Sequence, residues 1–143
     1  MKVVRKLLAP LLVVGILLIS LISLHQLKAD KKKDVFRIGI SQFITHQSLD
    51  ATRKGFVDEL GKQGYVEGKN IEIDLQNAQG EQRNLKTISQ QLAESSDVVL
   101  AIATPSAQSL ANTTQTTPVI FSAVTDPVSA KLVESREHPG GNV

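Results

Sequence analysis

Cysteine and tryptophan are both absent from this 143-residue chain. Without cysteine, the chain has no disulfide, no thiolate nucleophile, no thiolate zinc ligand and no residue to carry the lipid of a lipoprotein. Aromatic residues are scarce, with one tyrosine and four phenylalanines, so a core must be built from valine, isoleucine, leucine and alanine. The three histidines are far apart in sequence and indicate no metal site.

Motifs of the common enzyme and nucleotide-binding classes are also missing. Gly39 is not followed by the further glycines of a dinucleotide-binding loop, and neither a P-loop nor a G-x-S-x-G turn occurs. The net charge is only +2. Lysines and arginines are scattered among acids without interleaved aromatics, which disfavours nucleic-acid binding. We therefore predict a protein that is not an enzyme and that uses no cofactor and no metal.

Residues 1–34 have the composition of a membrane-targeting segment. A basic start is followed by an apolar block from Leu7 to Leu24. This block is longer than the apolar region of a cleaved secretory signal and close to the length that spans a bilayer. We predict a basic cytoplasmic region over 1–6, a signal-anchor transmembrane helix over 7–27 and a charged linker over 28–34. The globular domain then lies outside the cytoplasm; a cleaved signal is the alternative.

From residue 35 onward, predicted strands alternate with predicted helices. The strands cover 35–40, 71–76, 98–103 and 119–124. The third is a continuous apolar run rich in β-branched residues, typical of a strand buried on both faces. Helices are predicted between the strands, and a short helix is predicted over 128–133. This alternation predicts right-handed crossovers and a parallel α/β sheet in the order 2-1-3-4, with helices on both faces.

The third strand runs directly into Thr104-Pro105-Ser106. This sequence is typical of a helix N-terminus, with Thr104 as the cap and Pro105 at the first helical position. A helix N-terminus presents free N–H groups and the positive end of a dipole, and open α/β sheets bind ligands at the carboxyl edge of their strands. The candidate ligand-binding residues at this edge are Gln42, His46, Asn77, Thr104, Pro105, Ser106, Thr125 and Asp126.

This set of residues suits a zwitterionic ligand. The N–H groups and hydroxyls at 104–106 would hold a carboxylate, and Asp126 would pair with an ammonium group. Each residue also has a structural interpretation. Thr104 and Asp126 are good helix caps, Asn77 is a typical turn residue at a strand end, and His46 is a typical solvated loop residue.

Five motifs occur in order: I-G-I-S-Q-F-I-T-H-Q-S-L-D-A-T-R-K-G-F at 38–56, G-Y-V-E-G-K-N at 64–70, N-A-Q-G at 77–80, A-I-A-T-P-S-A-Q at 101–108 and V-T-D-P-V at 124–128. Together they resemble the ABC-transporter substrate-binding proteins of the tryptophan/tyrosine type, over residues 36–143. The resemblance implies a Rossmann-like lobe of a type I periplasmic-binding-protein fold that closes with a second lobe on a small ligand, often an aromatic amino acid. It implies that cleft-facing loops carry Gln42, His46, Thr104, Ser106, Thr125 and Asp126.

Because that fold needs two domain-sized lobes, residues 35–143 are interpreted as the first lobe, with the second lobe absent through an apparent truncation. We predict the extracytoplasmic substrate-binding component of an ABC importer, held at the cell membrane, which binds a small zwitterion such as tryptophan. Its partners are then a permease and an ATPase subunit, and no nucleic acid. The alternatives are a membrane-tethered sensory or interaction domain, a non-functional fragment and, on residues alone, an α/β enzyme.

Overall fold

The structure is a computed structural model that describes residues 35–143. The predicted basic region, signal-anchor helix and charged linker lie outside the described residues. Within the described part of the chain, no helix is both long enough and apolar enough to cross a bilayer.

The apolar runs of residues 35–143 form one parallel sheet in the order β2-β1-β3-β4. The strands are β1 (Phe36–Gln42), β2 (Ile71–Asn77), β3 (Val98–Ile102) and β4 (Val119–Ser122). Gln42 is in register with both Asn77 and Ile102, and Ile102 is in register with Ser122. The carboxyl ends of the four strands therefore lie along one edge of the sheet, called the carboxyl edge below. The predicted strand order is confirmed.

Helices cover both faces of the sheet, as predicted. They are α1 (Gln47–Lys62), α2 (Gln82–Ser95) and α3 (Thr104–Thr113). On one face, Leu49, Phe56, Val57 and Leu60 of α1 pack on a cluster formed by Ile38, Ile40, Ile71, Leu100 and Ile102. On the other face, α2 and α3 contribute Leu85, Ile88, Leu92, Ala107 and Leu110 to a cluster with Val99, Ala101 and Val119. Each fully buried aliphatic side chain contributes about 1.5–3 kcal/mol of transfer free energy.

Gly39 allows β1 and α2 to approach each other closely. A Cβ atom at this position would lie 2.7 Å from Ser96 Oγ and 3.2 Å from a methyl carbon of Leu92. The glycine at position 39 of the first motif is therefore explained by helix–sheet packing.

Three predicted elements differ from the structure at β3, at β4 and after β4. Ala103 is not part of β3, and β4 ends at Ser122 because Ala123 adopts a left-handed backbone with φ 56°. The predicted helix over 128–133 is wrong, because residues 127–131 form a turn and residues 132–133 are irregular. One helix-type bond joins Ala130 N–H to Asp126 O at 3.0 Å, but Lys131 then turns left-handed with φ 58°, and this reversal ends the helical path.

The last residues of the chain return to β4, which forms one side of the sheet. Val119 N–H donates to Asn142 O at 2.7 Å, and the Asn142 side chain donates to Thr114 O and Thr117 O at 3.2 and 2.8 Å. The backbone of Phe121 points away from β3, because alternate residues of a parallel strand bond to opposite neighbours. No other described strand lies beside β4.

Candidate functional site

The connection between β3 and α3 is sharply bent at Ala103. Its φ of 80° and ψ of 155° lie in a region that favours glycine, and holding an alanine there costs about 1–3 kcal/mol. Ala103 N–H is still bonded to Ser122 O at 3.0 Å, so the chain leaves the sheet and enters the helix within one residue. Ala103 is therefore the N-cap, and it makes no side-chain capping bond.

The prediction that Thr104 is the cap and Pro105 the first helical residue is wrong by one position. Thr104 is the first residue of α3 and Pro105 the second. The first N–H groups of a helix have no partner within the helix, so those of Thr104 and Ser106 are unpaired in α3. Thr104 is partly exposed at the carboxyl edge, and Ser106 is buried just behind it. Proline has no N–H group, and its fixed φ stabilises the first turn.

Three buried side-chain atoms lack a hydrogen-bond partner among residues 35–143, and all three lie near the carboxyl edge. They are Ser41 Oγ, Gln42 Oε1 and Ser106 Oγ. The exposed fractions of these residues are 0%, 1% and 0%. A buried polar atom without a partner costs about 1–3 kcal/mol, and such atoms are rare in native proteins without a specific reason. Ser41 and Gln42 are adjacent in β1, so their side chains lie on opposite faces of the sheet, and all three residues lie at or next to the carboxyl ends of β1 and β3. This edge is therefore where the described residues leave buried polar atoms unpaired.

The amide of Gln42 organises the loop that follows β1. Its Nε2 donates to Ile44 O at 2.9 Å and to Asp50 Oδ1, in the first turn of α1, at 2.7 Å. The side chain is buried, so it positions the loop while its Oε1 stays unpaired within the described residues.

His46 lies in the same loop and is exposed. It is the N-cap of α1, and its Nδ1 lies 2.8 Å from Ser48 Oγ and accepts the backbone N–H of Ser48 at 3.3 Å. One ring nitrogen is thus used for capping, which leaves Nε2 as the atom that can contact a ligand.

Asn77 forms the turn at the end of β2, in agreement with its structural interpretation. Its Oδ1 accepts Gln79 N–H at 2.9 Å, and its Nδ2 donates to Thr45 Oγ1 at 3.0 Å. The side chain thus links the β2 loop to the β1 loop. Because adjacent strands are about 4.8 Å apart, Asn77 is separated from the end of β3 by about 10 Å and lies at the margin of the site.

Thr125 and Asp126 are exposed and follow β4, the neighbour of β3. Asp126 Oδ1 accepts the N–H groups of Val128 and Ser129 at 3.1 and 3.2 Å, and its Oδ2 accepts Ser129 Oγ at 2.6 Å. These bonds, led by that of the Ser129 hydroxyl, hold the pKa of Asp126 below its ordinary value. Asp126 therefore caps its own turn and remains a carboxylate at neutral pH.

The carboxyl edge places opposite partial charges on neighbouring turns. The N-terminus of α3 is the positive end of a helix dipole, and the Asp126 carboxylate follows the adjacent strand. The described residues contain no group of three or more histidine, aspartate or glutamate side chains placed to hold a metal ion. The arrangement can bind the two charged groups of a zwitterion side by side.

Three contributors to this edge were not found from the sequence. Ser129 had a visible signal, because Asp-x-x-Ser is a common capping pattern at a helical turn. Ser41 stands beside Gln42 at the polar end of β1, and nothing in the sequence shows that its hydroxyl is buried. The left-handed backbone of Ala103 has no sequence signal, since glycine is the residue expected there.

A parallel α/β lobe with an anion-binding helix end, a neighbouring carboxylate and buried unpaired polar atoms at its carboxyl edge is a small-ligand-binding lobe. The chain belongs to the ABC transporter substrate-binding protein family, whose sequence model matches residues 37–143. This confirms the resemblance recognised from the five motifs. Substrate binding, rather than catalysis, is the role of this family.

Individual relatives agree with this assignment. The chain is 49% identical over 117 residues to a tyrosine-binding protein of Clostridioides difficile (strain R20291), covering 81% of this chain and 34% of the relative. Its fold is similar to the ligand-free, open structure of a Clostridium difficile substrate-binding protein with adhesive properties, with TM-score 0.75, 47% identity, and coverage of 76% of this chain and 37% of that chain. A Streptococcus pneumoniae ABC domain in complex with L-Trp gives TM-score 0.73 and 45% identity, with the same coverage of both chains. The chain therefore spans about a third of the length of these relatives.

Proposed function

We propose that residues 35–143 act as the first lobe of the extracytoplasmic substrate-binding component of an ABC importer, and that the ligand is an aromatic amino acid. The observation that carries the proposal is the grouping of Ser41 Oγ, Gln42 Oε1 and Ser106 Oγ, buried and unpaired within the described residues, at the carboxyl edge. The tyrosine-binding relative and the neighbour with bound L-Trp support the choice of ligand.

In this proposal, α3 and the turn after β4 hold the two charges of the amino acid. The N–H groups of Thr104 and Ser106, with the Ser106 hydroxyl, bind the carboxylate at the positive end of α3. Asp126 pairs with the ammonium group, and its lowered pKa keeps it ionised over the physiological range. Each charge-assisted hydrogen bond is worth about 1.5–3 kcal/mol, which is enough to orient a small ligand.

Two exposed apolar side chains in the loops at this edge support an aromatic ligand. Ile44 follows β1 and is 41% exposed, and Val128 follows Asp126 and is 42% exposed. A ring lying between them would cover apolar surface that is otherwise in contact with water. At about 25 cal/mol per Å², this burial favours an aromatic side chain over a short or polar one.

The other predicted site residues act on the shape of the edge in this proposal. Gln42 and His46 fix the β1 loop, and Asn77 ties it to the β2 loop. Pro105 stabilises the first turn of α3. Thr125 lies next to Asp126 and is exposed toward the same edge.

A titration of the ¹⁵N-labelled full chain in detergent micelles, followed by NMR, tests the ligand and its position. We expect L-tryptophan and L-tyrosine to shift the amide signals of residues 104–107 and 126–129. Tryptamine, which lacks the carboxylate, should lose the shifts at 104–107, and indole-3-propionic acid, which lacks the ammonium group, should lose those at 126–129. Shifts confined to the amino ends of the strands would contradict the proposed site.

Two variants with a matched control separate local contacts from general effects. Ser106→Ala and Asp126→Ala should each weaken L-tryptophan binding by about 10-fold, the equivalent of one charge-assisted bond. Ser95→Ala is the control, because Ser95 Oγ bonds only to Gln91 O of its own helix, at the opposite end of α2 from the carboxyl edge. Equal affinity in Asp126→Ala and the unmodified chain would remove Asp126 from the site.

We further propose that residues 1–34 anchor the lobe to the membrane with residues 35–143 outside the cytoplasm, where a permease and an ATPase subunit complete the importer. The apolar block from Leu7 to Leu24 supports this. An uncleaved anchor predicts a membrane-bound protein of the full 15.5 kDa, digestible by protease added to the outer side. A smaller soluble product would indicate cleavage instead.

A further inference from the structure

The amino ends of the strands carry an exposed apolar patch that the proposed ligand site does not use. The patch, called the amino-edge patch below, consists of Phe36, Tyr65 and Val66, which are 47%, 50% and 43% exposed. Phe36 and Tyr65 are the two most exposed aromatic residues of residues 35–143. Single exposed apolar residues are common on protein surfaces, but a group with two aromatic rings indicates contact with another phase or molecule.

The fold brings these three residues to one place. Phe36 begins β1 and is in register with Ile71, the first residue of β2. Tyr65 and Val66 belong to the turn that leads from α1 into β2, and Ile71 N–H donates to Val66 O at 3.4 Å. Ile71 itself is 1% exposed, so it forms the buried base next to which the three exposed side chains lie.

The turn that carries Tyr65 and Val66 is held in one conformation by Asn70. The Asn70 Oδ1 accepts Val66 N–H at 2.7 Å, and its Nδ2 donates to Gly64 O at 2.9 Å. Gly64 and Gly68 supply the left-handed backbone with φ of 89° and 74°. Because the turn is already ordered, contact with a surface costs little conformational entropy.

The chain that precedes the patch indicates which surface is nearest. The apolar block of the proposed anchor ends at Leu24, and the twelve residues from there to Phe36 reach at most about 40 Å when fully extended. A bilayer that holds the anchor is therefore always within reach of the amino-edge patch. Tyrosine and phenylalanine are suited to the boundary between headgroups and acyl chains, where one end of the ring is wet and the other apolar.

Positive and negative side chains both surround the patch, so its attraction to a membrane would come from burial of apolar surface rather than from charge. Lys62 and Lys69 flank the turn, but Glu59 lies 3.2 Å from Lys62, and Glu67 lies in the turn itself. Such a surface gains little from anionic lipid, in contrast to a polybasic segment.

We propose that the amino-edge patch rests in the headgroup layer of the membrane and fixes the orientation of the lobe. The inference rests on the proposed membrane anchor but not on the identity of the ligand. The contact adds to the anchor, since a tethered lobe has already lost most of its freedom to leave the surface. Because a seven-residue strand such as β1 is about 23 Å long, the amino-edge patch and the carboxyl edge lie at opposite ends of the sheet, so contact at the patch leaves the ligand site uncovered.

The absence of tryptophan from the sequence allows a direct test. Tyr65→Trp places one fluorescent reporter in the patch of the full chain, reconstituted in phosphatidylcholine vesicles. Ile120→Trp is the matched control, because Ile120 is also 50% exposed but lies on β4 at the far side of the sheet from β2. We expect the reporter at 65 to be quenched several-fold more strongly by dibrominated phosphatidylcholine, and less by acrylamide in the water, than the reporter at 120. Adding phosphatidylglycerol should change neither result.

Every outcome of this experiment decides the proposal. Vesicle flotation of the chain together with selective lipid quenching at 65 supports it, as does a loss of this quenching when Phe36→Ser and Val66→Ser are added. Flotation with equal acrylamide access at 65 and 120 overturns the patch proposal and leaves the anchor standing. A chain that does not float overturns both. The NMR titration with L-tryptophan tests the ligand proposal separately.

Discussion

Ser106 provides a sharp test of the reasoning about the ligand site, because its hydroxyl should stabilise the complex and destabilise the free protein. The side chain is 0% exposed, and its Oγ has no partner within 35–143. A buried hydroxyl without a bond costs about 1–3 kcal/mol. Ser106→Ala removes that cost and leaves only the small space of one oxygen atom. We expect a net gain of about 1 kcal/mol in the free energy of unfolding without ligand.

The matched control is Ser89→Ala. Ser89 is also 0% exposed and helical, but its Oγ donates to Ser109 Oγ at 2.8 Å across the contact between α2 and α3. Removing it breaks a satisfied bond and should cost about 0.5–1.5 kcal/mol. The same substitution at the same degree of burial should thus change the free energy of unfolding in opposite directions at the two positions, because only the Ser89 hydroxyl has a hydrogen-bond partner.

The assay is thermal unfolding of the full chain by circular dichroism, with and without L-tryptophan. For a folded unit of this size, 1 kcal/mol corresponds to a change in Tm of roughly 4 °C. Ser106→Ala should raise the Tm of the free protein and reduce the further rise in Tm that L-tryptophan causes. Ser89→Ala should lower the Tm of the free protein and leave the rise caused by L-tryptophan unchanged. If both variants lose stability alike in the absence of ligand, the interpretation of Ser106 as an unsatisfied ligand contact is refuted.

Three further predictions concern packing, backbone strain and pH. Gly39→Ala should lower the free energy of unfolding by about 1–3 kcal/mol in urea titrations, because the new Cβ would lie 2.7 Å from Ser96 Oγ, and adding Ser96→Gly should recover part of the loss. Ala103→Gly should raise the Tm, because relief of about 1–3 kcal/mol of strain exceeds the flexibility that glycine adds to the unfolded chain; a lower Tm would show that this backbone is unstrained. Because hydrogen bonds from Ser129 hold the pKa of Asp126 below its ordinary value, its contribution to stability is present at neutral pH and is lost as pH falls from the ordinary carboxyl pKa through the lower one. Asp126→Asn should flatten the dependence of Tm on pH in that acidic range, and an unchanged slope would contradict this role.

The sheet was predictable because its signal is local and repeated. Apolar runs of strand length, separated by stretches with helical spacing, predict a parallel sheet, and right-handed crossovers leave few strand orders, among them the observed order β2-β1-β3-β4. The same reasoning placed the ends of β1, β3 and β4 at one edge, and with them most of the candidate site residues. These features follow from patterns of hydrophobicity that each segment carries by itself.

The errors occur where a single backbone angle decides the path of the chain. Thr104 has the composition of a cap, but Ala103 turns left-handed one residue earlier and becomes the cap itself. After β4, an acidic residue followed by proline, Asp126-Pro127, can begin either a single turn or a helix. The left-handed backbone of Lys131 ends the helical path after one turn. The partners of buried polar atoms, such as Gln42 with Asp50, depend on how an entire loop folds and are not encoded in a local pattern.

The side of β4 that no described strand pairs with has a practical consequence for work on this chain. Within residues 35–143, the outward backbone bond of β4 is the one from Val119 to Asn142, and the N–H of Phe121 also points to this side. Residues of the C-terminal segment, such as Val133 and Val143, line a shallow pocket with Ile120 and Phe121 but do not pair with the strand. Such a strand can pair with its copy in another molecule, so self-association should rise with concentration during purification. A charged substitution at Ile120, such as Ile120→Lys, should keep concentrated samples monomeric by light scattering.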